Sequence, residues 1–206
     1  MTTWGDLPTM LHKEADTKPK FSEWDYAFIG YNTRKVKTYL DIADHIWTYW
    51  RNAEGGEAPF KNKYKKLALF GHSLGTLGIR QSLSAWSRQP VSMSSALHSI
   101  TLFGTPVNGS PIAKLALGYS IRHALKPGNE QLRMLRVWSD SAHQKQPWPA
   151  IKLVLGQDDE VVGHEIADLI QFVGDGPHEI TNYDHSELVK PSGWNTRAMD
   201  FIDAGL

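Results

Sequence analysis

The chain has 206 residues, a formal net charge of zero, and no cysteine. A length of this order predicts one domain with a substantial core, and the 41% of hydrophobic and 21% of charged residues are typical of a soluble globular protein. The missing cysteine excludes disulfides, thiolate metal sites and a cysteine nucleophile, and the neutral charge does not favour nucleic acid or an acidic membrane surface as a partner.

The first segment of the chain, residues 1–16, lacks a basic region followed by an apolar stretch, so the sequence predicts no signal peptide. No apolar run approaches the roughly 18 residues that a membrane-spanning helix needs. The sequence therefore predicts a cytoplasmic protein without a membrane span. The oligomeric state stays open.

Apolar segments in the first half predict a strand, a helix and a second strand. The strand is predicted at 25–31 and the helix at 34–51, because apolar residues recur there at helical spacing. The expected buried face of that helix consists of Val36, Tyr39, Leu40, Ala43, Ile46, Trp47 and Trp50. A second strand is predicted at 67–70, followed by a helix over 76–88.

Between that strand and that helix lies Gly71-His72-Ser73-Leu74-Gly75, the Gly-x-Ser-x-Gly spacing of a nucleophile elbow. Such a tight turn favours glycine on both sides of the serine and exposes the serine hydroxyl at the top of a sheet. Ser73 is the predicted nucleophile. The backbone N–H of Leu74, at the start of a helix, is the predicted oxyanion donor. His72 is expected to point away and to be packed or hydrogen-bonded near the sheet.

The second half predicts strands at 99–103, 151–155 and 179–181 and a closing helix at 194–202. Residues from about 107 to 149 carry no clear strand and predict a helical, cap-like insertion. In the turn before it, Thr105 and Pro106 are expected to form the lip of a pocket. Short apolar strands that alternate with helices argue for an α/β fold in a single domain, 1–206, with a mostly parallel sheet covered on both faces.

A serine nucleophile needs a base, and the base needs an orienting acid. In the elbow architecture the acid follows the serine along the chain, and the histidine comes last. Asp158 and Asp159 follow the strand at 151–155, at the sheet edge where catalytic groups collect. One of the two carboxylates could instead cap a helix. Asp159 is the preferred acid and Asp158 the alternative.

His185 is the predicted base, because it lies in a polar loop after the last strand. Of its rivals, His164 lies too close to the acid loop and His178 begins the last strand, at the end remote from the elbow. Asp184 is expected to cap the loop. His164 also opens a His-Glu-x-x-Asp segment in which aspartate replaces the second histidine of a zinc motif, so the sequence predicts a surface helix there. No metal and no cofactor are predicted.

With these motifs the chain resembles the α/β-hydrolase superfamily over nearly its whole length. The resemblance is to the lipase-like and esterase-like branch that includes SERAC1-type and PGAP1-type serine esterases. It is carried by the elbow, by the Gly-Thr-Pro turn at 104–106 with Gly109-Ser110, and by the acid and histidine loops at 156–162 and 184–191. In such relatives the acid lies three residues after a glycine, which is Asp159 here. The resemblance implies hydrolysis of a small-molecule carboxylic ester through an acyl-enzyme on Ser73.

The start of the chain departs from that pattern. Such relatives begin with a strand ending in His-Gly, whose loop supplies a second oxyanion N–H, and then a tryptophan and a helix. Trp4 and the residues after it resemble only the latter part. The absent strand would lie between those at 25–31 and 67–70, so its omission would break their pairing or force a new one. Losing one oxyanion donor typically costs on the order of 100- to 1000-fold in rate.

The departure leaves two interpretations open. Either the true start lies upstream, or this version is a catalytically impaired homologue with a binding or regulatory role. An amidase or an acyltransferase on the same triad is a further alternative.

Overall fold

The computed structural model describes residues 3–33, 35–51, 63–86, 96–110, 120–145, 148–162 and 174–206. The elements that position the site are, in chain order, α1 (Leu7–Glu14), α2 (Tyr39–Arg51), β1 (Leu67–His72), α3 (Leu74–Trp86), β2 (Leu97–Phe103), α4 (Glu130–Lys145), β3 (Ile151–Gly156), β4 (Asp175–Thr181) and α5 (Arg197–Asp203). Short 3-10 turns lie at Ala15–Thr17, Phe21–Glu23, Ser120–His123 and Glu187–Val189.

The strands of the described residues form a parallel sheet in the order β1-β2-β3-β4. Parallel neighbours need a crossover connection. Helix α3 lies in the connection from β1 to β2, and α4 lies in the connection from β2 to β3. The carboxyl ends of all four strands therefore meet at one edge of the sheet, which also carries the loops that follow them.

Alternate residues of the strands face two different helix layers, because successive side chains of a strand point to opposite faces. Leu69, Leu102 and Leu153 belong to a core with α2, α3 and α4. Phe103 and Val154 belong to a second core with α1 and α5. Burial on both faces explains why the strands are continuous apolar runs. The prediction of an α/β fold with helices on both faces is confirmed.

The predicted strands at 67–70, 99–103 and 151–155 are confirmed, and each is slightly longer than expected. The last strand begins at Asp175, well before 179. The closing helix begins at Arg197, later than expected, and its buried residues are Ala198, Met199, Phe201 and Ile202.

The predicted strand at 25–31 is wrong. This segment has no regular secondary structure, and β1 ends the described sheet on that side. A strand needs a neighbour that satisfies its N–H and C=O groups, and here the segment is held by its side chains instead. Ile29 and Tyr31 pack against the α2–α4 core, whereas Tyr26 packs against the α1–α5 core.

The helix predicted over 34–51 begins only at Tyr39. The carboxylate of Asp41 accepts hydrogen bonds from the amides of Lys37 and Thr38, which occupies the N–H groups at the helix start. Ile42 is fully buried, while the predicted inner residue Leu40 is 44% exposed. The rest of the expected face is confirmed, since Val36, Tyr39, Ala43, Ile46 and Trp50 are buried and Trp47 packs against the core.

The predicted cap-like insertion at 107–149 is described in part, since residues 111–119 and 146–147 lie outside the described residues. Within it, α4 packs beside α3, and Leu135 of α4 is fully buried in the core. Helix α4 is therefore part of the layer that covers the sheet. The cap-like role of the insertion stays a prediction.

Candidate active site

Ser73 occupies the turn between β1 and α3 with a φ of +52°, and among the described residues it is the non-glycine residue with positive φ. Such a backbone costs on the order of 1–3 kcal/mol and persists only where its surroundings impose it. Here the N–H of Ser73 donates to the carbonyl of Phe103 at 2.9 Å. Its carbonyl accepts from the N–H of Thr76 at 3.0 Å and from the Thr76 hydroxyl at 2.6 Å. This is the strained strand-to-helix turn that the Gly-x-Ser-x-Gly spacing predicts.

The two glycines of the turn are not equivalent. A Cβ at Gly71 would lie 2.7 Å from Ile79 and 3.2 Å from the Cα of Thr76, so glycine is sterically required there. A Cβ at Gly75 would meet one neighbour, the hydroxyl oxygen of Tyr31 at 3.5 Å. The second glycine therefore leaves space beside a tyrosine hydroxyl.

Leu74 is the first residue of α3. The N–H groups in the first turn of a helix have no intrahelical acceptor, and they lie at the positive end of the helix dipole. The backbone of Leu74 therefore lies where the sequence places an oxyanion donor. That role stays a prediction.

The imidazole of His185 and the carboxylate of Asp159 are in direct contact. His185 Nδ1 lies 2.7 Å from Asp159 Oδ2. A carboxylate accepts, so Nδ1 carries the proton and Nε2 of the neutral ring is left as the basic nitrogen. Asp158 is exposed, while Asp159 is only 2% exposed. Of the two carboxylates that the sequence leaves open, Asp159 is the one that contacts the histidine.

Backbone amides fix the Asp159 carboxylate from its other side. Its Oδ1 accepts from the N–H groups of Val161 at 2.9 Å and Val162 at 3.0 Å. Burial by itself raises the pKa of Asp159, but the hydrogen bond and charge of His185, together with the two amides, hold that pKa below its ordinary value. Asp159 is therefore a carboxylate in the neutral pH range.

The loop that carries His185 is closed by Asp184. Its Oδ1 accepts from the amides of Ser186 at 2.7 Å and Glu187 at 2.8 Å, which is the capping role expected for it. His178 lies inside β4, opposite Leu153 of β3, away from the carboxyl edge. His164 lies outside the described residues. Of the two weighed histidines that the structure describes, His185 is the one that contacts Asp159.

The end of β2 lies directly against the histidine–aspartate pair. A Cβ at Gly104 would lie 3.0 Å from His185 Nδ1 and 3.1 Å from Asp159 Oδ2. The carbonyl of the preceding residue, Phe103, accepts a hydrogen bond from the N–H of Ser73. The serine turn, the acid and the histidine therefore converge at the carboxyl end of one strand, although they are far apart in sequence.

His72, the last residue of β1, is hydrogen-bonded to the histidine loop, which confirms the expectation that it is packed or hydrogen-bonded near the sheet. Its Nε2 lies 2.7 Å from the carbonyl oxygen of His185, and the two ring centroids are 4.6 Å apart. Burial, reinforced by the neighbouring His185, lowers the pKa of His72 to about 4. The sequence does not identify His185 as the hydrogen-bond partner of His72. Nothing in the residues around position 72 indicates which loop this side chain contacts.

The remaining site residues are placed as follows. Thr105 and Pro106, predicted to form a pocket lip, are buried behind the turn at the end of β2, and their role in a pocket stays a prediction. Between described residues, no hydrogen bond joins the hydroxyl of Ser73 to the ring of His185. Such contacts are often loose in free enzymes and tighten when substrate binds.

The described residues contain no group of three or more histidine, aspartate or glutamate side chains arranged to hold a metal ion. Nor do they include a helix with the length and apolar character that crossing a bilayer demands.

No protein-family model and no curated protein matches the sequence. Five chains of solved structures match, and two of them are phospholipase structures. One is phospholipase PlaB from Legionella pneumophila in complex with thio-NAD, with a TM-score of 0.54, 18% identity, and coverage of 75% of this chain and 35% of that chain. The other is phospholipase PlaB from the same organism, with a TM-score of 0.53, 16% identity, and coverage of 76% and 36%.

The chain thus spans about a third of the length of these two structures. At this level of identity the similarity shows the fold alone. The shared fold is an α/β fold with a mostly parallel sheet between helices.

Proposed function

We propose that this chain is a serine hydrolase that cleaves carboxylic esters through an acyl-enzyme on Ser73. The observation that carries the proposal is the contact between His185 and Asp159 at 2.7 Å, packed against Gly104 beside the strained turn of Ser73. A buried carboxylate that fixes the tautomer of an imidazole is the arrangement that activates a serine nucleophile.

In the proposed mechanism, Nε2 of His185 removes the proton from the Ser73 hydroxyl as the oxygen attacks the ester carbonyl. Asp159 accepts from Nδ1 throughout and stabilises the imidazolium that forms. The backbone N–H of Leu74 donates to the oxyanion of the tetrahedral intermediate. His185 then protonates the leaving alcohol, and a water molecule, activated by the same nitrogen, releases the acid and regenerates Ser73.

The proposed substrate class is a small-molecule acyl ester, with lipid esters tested first. The support is that two of the solved structures of similar fold are phospholipases by name. A serine–histidine–aspartate site acts on the ester carbonyl and needs no metal or organic cofactor for either half of the reaction.

The test combines turnover with covalent labelling. The purified protein is assayed with p-nitrophenyl esters from acetate to octanoate and with a diacyl phospholipid, and it is incubated with a fluorophosphonate. We expect ester turnover and a single adduct that mass spectrometry assigns to Ser73. Ser73→Ala should abolish both, while Ser22→Ala, a matched change at an exposed serine, should alter neither. A folded protein that neither turns over esters nor takes up the label would refute the proposal.

A catalytically impaired homologue that binds acyl ligands is the second candidate. The observation that favours it is the missing hydrogen bond between the Ser73 hydroxyl and the His185 ring. It predicts saturable binding of fatty acid or ester analogues, measured by calorimetry, without turnover and without labelling of Ser73. The same experiment therefore separates the two candidates.

A further inference from the structure

The hydroxyl of Tyr31 lies beside the helix start that carries the oxyanion donor. A Cβ at Gly75 would lie 3.5 Å from this oxygen, with no other heavy atom within 4 Å. Gly75 directly follows Leu74 in the first turn of α3. The hydroxyl of Tyr31 therefore lies beside Gly75, at the start of α3.

Its hydroxyl is uncommitted, which is unusual for a tyrosine that packs against a core. Tyr26, Tyr39 and Tyr64 donate to the carbonyl of Phe21, the carbonyl of Gln131 and the carboxylate of Asp25. In the part of the chain that the structure describes, nothing accepts from the hydroxyl of Tyr31. A donor is thus available next to the elbow.

The ionisation state of the phenol suits a donor. Burial raises the pKa of Tyr31 to about 12, so the hydroxyl keeps its proton throughout the neutral range. It can donate one hydrogen bond, and it cannot serve there as a general base. The ring packs against the α2–α4 core, which holds the hydroxyl in place although the segment 25–31 has no strand partner.

We propose that the Tyr31 hydroxyl is a second oxyanion donor, which acts together with the N–H of Leu74. The inference rests on the proposed function, since it concerns the same tetrahedral intermediate. A developing oxyanion accepts more than one hydrogen bond, and tyrosine side chains are among the groups that supply one. Glycine at 75 keeps a side chain out of the space beside the Tyr31 hydroxyl, one residue after the N–H of Leu74.

The test is Tyr31→Phe, which removes one oxygen and no hydrogen bond seen in the structure. We expect kcat on a p-nitrophenyl ester to fall about 100- to 1000-fold with KM within about threefold, because the lost bond forms only in the transition state. The affinity for a trifluoromethyl ketone, whose adduct on Ser73 carries the same oxyanion, should fall in parallel. Tyr26→Phe, the same change at a hydroxyl held by Phe21, should leave both quantities unchanged.

Thermal melting shows whether each variant is folded. Should Tyr31→Phe be unstable, 3-fluorotyrosine at position 31 keeps both the shape and the donor, and it should retain at least the wild-type kcat. A wild-type enzyme that turns over esters while folded Tyr31→Phe matches its kcat would overturn this inference and leave the proposed function standing. A rise in KM without a fall in kcat in Tyr31→Phe would also overturn this inference, because such a change would show that Tyr31 binds the substrate in its ground state. If the wild-type protein neither turns over esters nor is labelled at Ser73, both the proposed function and the role of Tyr31 would be overturned.

Discussion

His72 donates a hydrogen bond from its ring to the backbone carbonyl of His185, at 2.7 Å across 113 residues of sequence. The carbonyl can only accept, so His72 Nε2 carries the proton. Because His72 immediately precedes Ser73, this bond joins the end of β1 to the loop that holds the proposed base. The residue before the nucleophile is thus a structural link between the two parts of the site.

The burial of His72 should make the protein sensitive to acid. Its pKa is about 4 in the folded state, against 6.5 for an exposed histidine. Between these pH values the unfolded chain binds a proton that the folded chain does not, so the free energy of unfolding falls as pH falls from 6.5 towards 4. We expect His72 to contribute about 2 kcal/mol to that fall, measured by urea unfolding at pH 7.5 and pH 4.5.

The matched variant for this prediction is His72→Gln, whose amide can still donate to the His185 carbonyl but does not titrate. Its free energy of unfolding should depend less on pH than that of the wild type. His98→Gln, a change at an exposed histidine, is the control and should keep the wild-type dependence. An unaltered pH dependence in His72→Gln would mean that this ring is protonated as easily in the folded as in the unfolded chain.

Asp159→Asn should reduce kcat/KM for ester hydrolysis by roughly 10⁴-fold, because an amide no longer enforces the tautomer with the proton on Nδ1 of His185. Asp158→Asn is the control, since Asp158 is exposed. It should stay within about twofold of the wild type. Steady-state kinetics on one p-nitrophenyl ester are sufficient. Equal losses in the two variants would contradict the assignment of Asp159 as the acid.

The sequence predicts the strands and the serine turn well, because short-range patterns determine both. An apolar run between two helices specifies a buried strand, and Gly71 is required by contacts that any such turn makes. The choice between Asp158 and Asp159 was left open by spacing alone. The two residues are separated by burial and by the amides of Val161 and Val162, which depend on how the acid loop closes.

Apart from the limits of single elements, the failures concern partners that are remote in sequence. The segment 25–31 has the composition of a strand, yet a strand forms only where a neighbour pairs with it. The position of Tyr31 beside Gly75 and the bond from His72 to His185 likewise depend on how loops pack at the sheet edge. No local periodicity encodes such contacts.

A buried ion pair should dominate the stability of the far strand. Arg80 of α3 contacts Asp175, the first residue of β4, with N–O distances of 2.8 and 3.0 Å, and both side chains are almost fully buried. Asp175→Asn should lower the free energy of unfolding by about 3–5 kcal/mol, because it leaves a buried guanidinium without its carboxylate. Asp203→Asn, at an exposed pair with Lys20, should cost at most about 1 kcal/mol. The prediction would be contradicted if Asp175→Asn and Asp203→Asn lowered the free energy of unfolding in urea by comparable amounts.

Gly104 should be required for activity beyond its effect on folding. Its φ is +53°, so an alanine there is strained by about 1–2 kcal/mol. Its Cβ would also lie 3.0 Å from His185 Nδ1 and 3.1 Å from Asp159 Oδ2, close enough to displace either group. We expect Gly104→Ala to lower kcat about 10- to 100-fold, since small displacements of reacting groups cost rates of this order.

Gly128 provides the matched control, because it has a φ of +73° and no atom within 4 Å of an added Cβ. Gly128→Ala should carry the same backbone strain without touching the site. Gly104→Ala should therefore lose at least as much stability as Gly128→Ala in urea unfolding, while only Gly104→Ala loses kcat on a p-nitrophenyl ester. If the two variants kept the same kcat, the end of β2 would not position the histidine and the aspartate, and the packing of Gly104 against that pair would have no catalytic consequence.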